Sequence, residues 1–181
     1  MANLFVDAAL FLGMHSADEA LRIRSKNFFV KHLDCGKSLS MPLSTSTSTS
    51  TSMSMSLEQV GLCDDVIWRH ARAVQDAYYP FMDCLHTRLQ MQRLPVSAAD
   101  VECALHERTL RGFAMPERLM LAKVMLARGQ LYTLRGLLLA AAPALPIFLP
   151  PDGVEQAFPP QLEAQYQTSL CLRLHHEELK L

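Results

Sequence analysis

The ten residues NLFVDAALFL, at positions 3–12, place Asp7 between two uninterrupted apolar runs. A short, continuous apolar run such as Leu4 to Val6 is typical of a strand buried on both faces of a parallel sheet. Such a sheet is covered by helices, so this feature favours an α/β fold. A buried aspartate costs several kcal/mol unless a partner compensates its charge, and a cation is one such partner. An N-cap or turn role for Asp7 is the alternative.

The rest of the chain alternates between strand and helix patterns. Further strands are predicted at residues 53–57, 130–134 and 145–150, where apolar residues form short runs or alternate with polar ones. Capping residues, prolines at helix starts and glycines at helix ends predict helices at residues 16–33, 63–89, 97–110 and 116–128 and from residue 159 onward. In the second of these, Asp64 or Asp65 is the expected cap, and Pro80 is expected to mark a break or a kink. The prediction is an α/β domain with a small, mainly parallel sheet flanked by helices.

Residues 44–56, STSTSTSTSMSMS, form a low-complexity run whose first half is too polar to bury. A flexible loop is the expectation, and a phosphoacceptor segment is the alternative. The similar segments SLSM and SMSL flank the run and compete for the second strand; the later one is favoured because it leads directly into LEQVG. The predicted organisation is one α/β domain over residues 1–153, with residues 44–56 as an insertion and residues 154–181 as a helical C-terminal extension.

Composition excludes several classes of protein. A net charge of −1 and a pI near 6.6 give no overall field that would attract nucleic acid or an anionic membrane. The five cysteines are odd in number and lack CxxC spacing, which favours a reducing cytoplasm over a disulfide framework or a zinc site. No apolar stretch reaches the roughly 20 residues of a membrane span, and no signal peptide pattern opens the chain. P-loop, GxSxG and GxGxxG motifs do not occur in the sequence.

Three acids follow predicted strands or open helices near them: Asp7 ends the first strand, Glu58 follows the second, and Glu117 lies in the first turn of the helix before the third. Ligands of parallel α/β sheets gather at the carboxyl ends of the strands. Carboxylates that converge there repel one another unless a cation is present, and Mg²⁺ or Mn²⁺ takes such oxygen ligands. The alternative for Glu58 and Glu117 is a favourable interaction with a helix N-terminus.

These segments resemble the PIN-domain superfamily. FVDAALFL is similar to its first strand and aspartate, MSLEQVG to its second element, and ERLMLAKVMLARGQLYTLRG to its third, with Glu117 where that superfamily usually has Asp. The resemblance covers residues 3–150 and is greatest to a bacterial PIN-like family of unknown function. At the position of the usual fourth acid, after LYT, this chain has Arg135, whereas Gly129 and Thr133 fit the pattern.

The resemblance implies a Mg²⁺- or Mn²⁺-dependent nuclease, with RNA as the expected substrate and Asp7, Glu58 and Glu117 as catalytic residues and metal ligands. Arg135 would then position the phosphate backbone. The alternative is a catalytically inactive PIN-like module that binds a protein or nucleic-acid partner, including a second copy of the chain, in which Arg135 neutralises the acids. A metal shared by the three carboxylates is the expectation on which the nuclease hypothesis depends.

Overall fold

A computed structural model describes residues 3–35 and 53–179 of the chain. Its strands are β1 Leu4–Val6, β2 Met53–Ser56, β3 Gln92–Leu94, β4 Gln130–Tyr132 and β5 Ile147–Phe148. Its helices are α1 Ala8–Gly13, α2 Glu19–Cys35, α3 Leu57–Ile67, α4 Arg72–Leu89, α5 Ala98–His106, α6 Met115–Leu126, α7 Gly136–Leu139 and α8 Pro160–Ser169, with a 3₁₀ turn at Arg108–Leu110.

The five strands form one sheet in the order β3-β2-β1-β4-β5, and every pair is parallel. The predicted α/β class with a parallel sheet is therefore confirmed. Strand β1 lies at the centre, where Leu4 pairs with Met53 on one side and Val6 with Tyr132 on the other. Because all strands run the same way, the residues that follow β1, β2 and β4 meet at one edge.

Side-chain alternation along β1 divides the interior into two cores. Phe5 packs with residues of α5, α6, β4 and β5, whereas Val6 packs with residues of α1, α2, α3 and α4. The period of two in a strand sends successive side chains to opposite faces, so helices cover both faces of the sheet. Gly129 permits close approach to this strand, because a Cβ there would lie 2.5 Å from the Phe5 ring.

The segment after residue 153 packs into the core that contains Val6. Phe158, Leu162 and Tyr166 are buried together with α2 and α4 side chains, and α8 lies against α4. The backbone also joins it to the start of the chain, since Leu174 N–H donates to the His15 carbonyl oxygen over 2.9 Å. The C-terminal extension is thus continuous with the packing of the α/β domain.

The predicted cap at Asp64 or Asp65 is wrong, and Pro80 does not break its helix. Asp64 and Asp65 lie inside α3, and the N-cap of that helix is Ser56, whose Oγ accepts from the Gln59 N–H. The break falls at residues 68–71 between α3 and α4, whereas Pro80 is accommodated within α4. The break coincides with Trp68, which ends α3 in helical conformation and is followed by a short turn.

Three further elements, α1, β3 and the short helix α7, were not predicted. Helix α1 is buried over its whole length and so shows no amphipathic pattern, and β3 is a three-residue polar strand at the sheet edge. Of the low-complexity run, residues 53–56 form β2, as predicted for the later of the two competing segments, and residues 44–52 lie outside the described residues. Among the residues that are described, no helix is long and apolar enough to cross a membrane.

Candidate functional site

Asp7 is fully buried at the carboxyl end of β1, where the strand gives way to α1. Its backbone is extended, and its Oδ1 accepts a hydrogen bond from the Leu10 N–H over 2.9 Å. This is the N-cap geometry, in which a short carboxylate satisfies a free N–H of the first helical turn. The cap alternative for Asp7 is therefore observed, and one carboxylate oxygen remains for other contacts.

The other oxygen of Asp7 faces the neighbouring strand. Thr133 follows β4 directly, and its hydroxyl donates to Asp7 Oδ2 over 2.5 Å. The same hydroxyl oxygen accepts from the backbone N–H of Arg135 over 3.0 Å. Thr133 is itself completely buried, so it fixes the aspartate and the chain after β4 in one arrangement.

Burial dominates the electrostatics of Asp7. Removal from water raises the pKa of its carboxyl from 3.8 to about 6. The Thr133 hydroxyl, the Leu10 N–H and the positive charge of Arg135 each act in the opposite direction but do not offset the burial. A carboxyl group with a raised pKa near a sheet edge is a common property of functional sites.

Glu117 and Arg135 form an ion pair beside this aspartate. Glu117 lies in the first turn of α6, after Pro116, and its Oε1 accepts from Arg135 Nη2 over 2.7 Å. The side chains are 11% and 12% exposed respectively, so solvent screens the pair weakly. The second oxygen of Glu117, Oε2, is buried and has no hydrogen-bond partner among the described residues. We call Asp7, Thr133, Arg135 and Glu117 the edge cluster.

Glu58 does not join the edge cluster. It is exposed in the first turn of α3, and no hydrogen bond or ion pair within residues 3–35 and 53–179 connects it to Asp7 or Glu117. Its neighbour Gln59 is buried instead, and Gln59 Oε1 accepts from the Ala8 N–H over 3.0 Å. Ser56 caps α3, and this helix start turns residue 59 rather than residue 58 toward β1.

Gln59 is thus the residue after β2 that sequence reasoning missed. The signal was present, because a serine followed three residues later by glutamine is the pattern of an N-cap and its first turn. The position of the cap sets which side chain of the first turn faces the sheet.

The donor set fits a divalent cation poorly in this arrangement. Of the three predicted ligands, Asp7 has both oxygens hydrogen-bonded, Glu117 is paired with Arg135, and Glu58 faces solvent. No group of three His, Cys, Asp or Glu side chains in the described part of the chain is placed to hold a metal ion. The metal expected from the sequence therefore stays a prediction.

Comparison with known proteins places the whole described site within one family match. A family model described as "Family of unknown function (DUF6190)" matches residues 1–179. No curated protein matches the chain. The description of this family assigns no activity to its members.

Proposed function

The chain belongs to the DUF6190 family of unknown function, and we propose that it is a PIN-like module that binds a partner at the carboxyl edge of its sheet and does not hydrolyse it. The Arg135–Glu117 ion pair carries this proposal. The pair supplies, from within the protein, the positive charge that a metal would otherwise bring to the acids.

The magnitudes favour the arginine over a metal. A guanidinium stays charged at every physiological pH. At about 5 Å and an effective dielectric of about 20, it would repel a doubly charged cation by about 7 kcal/mol. A cation bound at Oε1 of Glu117 would have to displace Arg135, which the ion pair and the burial of both side chains oppose, and one bound at Oε2 would be repelled by the guanidinium. A binding module needs no such rearrangement.

The proposed partner is a protein or nucleic-acid segment that contacts this edge, and RNA and a second copy of the chain are both included. We also propose a cytoplasmic location. The cysteines whose side chains are described, Cys63, Cys84, Cys103 and Cys171, are unpaired, which suits a reducing compartment.

A Mg²⁺- or Mn²⁺-dependent ribonuclease is the second candidate, and two observations favour it. Glu117 Oε2 is a buried acceptor with no partner among the described residues, and burial raises the pKa of the Asp7 carboxyl to about 6. A divalent cation would satisfy the first group and compensate the charge of the second. Glu58 would then complete the ligands only after a change in its side-chain position.

The test is a titration of Mn²⁺ and Mg²⁺ into the metal-free protein, with the melting temperature and the cleavage of single-stranded RNA as readouts. We expect no rise in melting temperature and no cleavage. The Asp7→Asn variant removes the buried carboxylate, and Asp18→Asn is its matched control, because Asp18 is an exposed carboxylate that caps α2. A metal-dependent rise and cleavage that both disappear only in Asp7→Asn would replace this proposal with the ribonuclease.

A further inference from the structure

A cavity of about 380 Å³ opens directly beside the edge cluster. This volume lies within the range of about 300–1,000 Å³ that is typical of small-molecule sites. The chain that leaves β4 forms one wall, and α2 and the C-terminal extension form the others. Its apolar lining consists of four leucines, namely Leu21, Leu134, Leu137 and Leu179. A ligand that fills it must therefore carry an apolar body.

The polar side chains that line the cavity are both basic. They are the guanidinium of Arg135 and the imidazole of His176, and no carboxylate lines the cavity among the described residues. A guanidinium has five N–H donors and no acceptor. Arg135 uses Nη2 on Glu117, and no other hydrogen bond to its guanidinium is formed by residues 3–35 and 53–179. The lining therefore offers donors and positive charge, which an anionic acceptor on the ligand complements.

We propose that this cavity binds an anion carried on an apolar body, with the anionic group at Arg135 and His176 and the apolar body against the four leucines. A carboxylate is the simplest such group. It comes either from a small amphiphile, such as a medium-chain fatty acid, or from the free C-terminus of a peptide that ends in an apolar residue. The inference rests on the proposed function, because it describes what the binding edge recognises.

The position of Arg135 connects the cavity to the edge cluster. Leu134, in the cavity wall, stands between Thr133, which holds Asp7, and Arg135, which holds Glu117. An anion in the cavity shares the guanidinium with Glu117 from another side, as the fan of five donors permits. Anion binding in the cavity and the balance of charge in the edge cluster are thus coupled through the Arg135 side chain.

The test measures the binding of octanoate by isothermal titration calorimetry, with octylamine and octanol as probes of the same body but different head groups. We expect octanoate to bind at least about tenfold more tightly than either. A leucyl-leucine peptide with a free carboxylate, compared with its amide, distinguishes a peptide terminus from a small amphiphile as the source. Whichever carboxylate binds more tightly identifies the source.

Leu137→Asp is the main variant, because Leu137 is 61% exposed and the substitution places a negative charge in the lining without opening the core. We expect the substitution to weaken the binding of octanoate by about tenfold or more, because the new carboxylate repels the carboxylate of the ligand. Leu105→Asp is the matched control: Leu105 is 49% exposed on α5, outside the cavity, and should leave binding unchanged.

Absence of binding by both carboxylates, equal binding of octylamine, or equal loss in the two variants would overturn the inference. The same samples are titrated with Mn²⁺. Failure of octanoate to bind, without a response to Mn²⁺, leaves the proposed function in place, whereas a melting temperature that rises with Mn²⁺ together with cleavage of single-stranded RNA removes the proposed function itself.

Discussion

Two of the buried charge clusters in the described part of the chain differ in how completely their charges are satisfied. One is the edge cluster at the end of β1 and β4. The other, which we call the tail cluster, consists of Arg22, Lys26, Glu155 and Glu163, and it joins α2 to the segment around α8. Both lie between elements that are distant in sequence, so both help to fix the fold.

The tail cluster is fully paired. Lys26 is 2% exposed, and its Nζ lies 2.9 Å from a carboxylate oxygen of Glu155 and 2.9 Å from one of Glu163. Arg22 also contacts Glu155 over 2.9 Å. This contact, together with the one from Lys26, lowers the pKa of Glu155 to about 2. The remaining oxygen of Glu163 accepts from the Phe158 N–H.

The edge cluster leaves a buried oxygen of Glu117 without a partner in the described chain, and burial raises the pKa of Asp7 to about 6. Unsatisfied buried groups are rare in folded proteins and concentrate where function requires them. The difference supports the proposal that the edge cluster binds a ligand, whereas the paired tail cluster stabilises the fold.

The largest expected effect is on the tail cluster. Lys26→Met removes the cation that two glutamates share and should lower the free energy of unfolding by about 3 kcal/mol. The value is at the low end for a broken buried pair, because Glu155 and Glu163 keep partial access to solvent. Urea denaturation measures it, and Lys31→Met, at an exposed lysine of the same helix, is the control. Equal small losses in both variants would show that the tail cluster adds little stability.

The opposite sign is expected at the edge. Asp7→Asn keeps an N-cap side chain and removes the buried charge, so it should stabilise the protein at pH 7. The pKa of Asp7 rises from 3.8 in an unfolded chain to about 6 in the folded one. At about 1.4 kcal/mol per pKa unit, this corresponds to a gain of up to about 3 kcal/mol. A destabilised Asp7→Asn variant would mean that its contacts outweigh the cost of its burial.

The dependence on pH distinguishes the two clusters further. A raised folded-state pKa makes ionised Asp7 unfavourable, so its contribution to stability falls as pH rises from about 4 to about 6. The lowered pKa of Glu155 acts the other way: its contribution is present above about pH 4.5 and is lost as pH falls toward about 2. The advantage of Asp7→Asn over the wild type should therefore shrink between pH 6 and pH 4 in denaturation curves. A constant difference across this range would place the pKa of Asp7 elsewhere.

Much of the fold follows from local patterns, since buried strands and capped helices leave signals that need no tertiary context. The apolar run before Asp7 and the alternation of Met53 and Met55 predicted the two strands that pair at the centre of the sheet. Strand β3 left no such signal, because a three-residue polar segment becomes a strand only through pairing with β2. Helix α1 left none because burial on every side removes the amphipathic period.

The site was predictable in its strand ends but not in its contacts. Sequence identified Asp7, Glu117 and Arg135, and the structure joins these through Thr133 and the ion pair. Glu58 was predicted as the site residue because it is charged. The helical phase that the Ser56 cap sets turns Gln59 toward β1 instead. Whether an arginine bonds to a nearby acid depends on tertiary geometry, which a one-dimensional pattern does not contain.

If Arg135 takes the place of a metal ion at the edge cluster, as we propose, then Arg135→Asp should open the cluster to a divalent cation. The variant removes the guanidinium, frees Glu117 and adds an acid at the position where PIN-like proteins usually have one. Arg128→Asp, at an exposed arginine before β4, makes the same change of charge as a control. The measurement is the melting temperature as Mn²⁺ is added to the metal-free proteins. We expect a rise of several degrees in Arg135→Asp and none in the wild type or in Arg128→Asp. A rise in the wild type, or no rise in Arg135→Asp, would contradict the proposal.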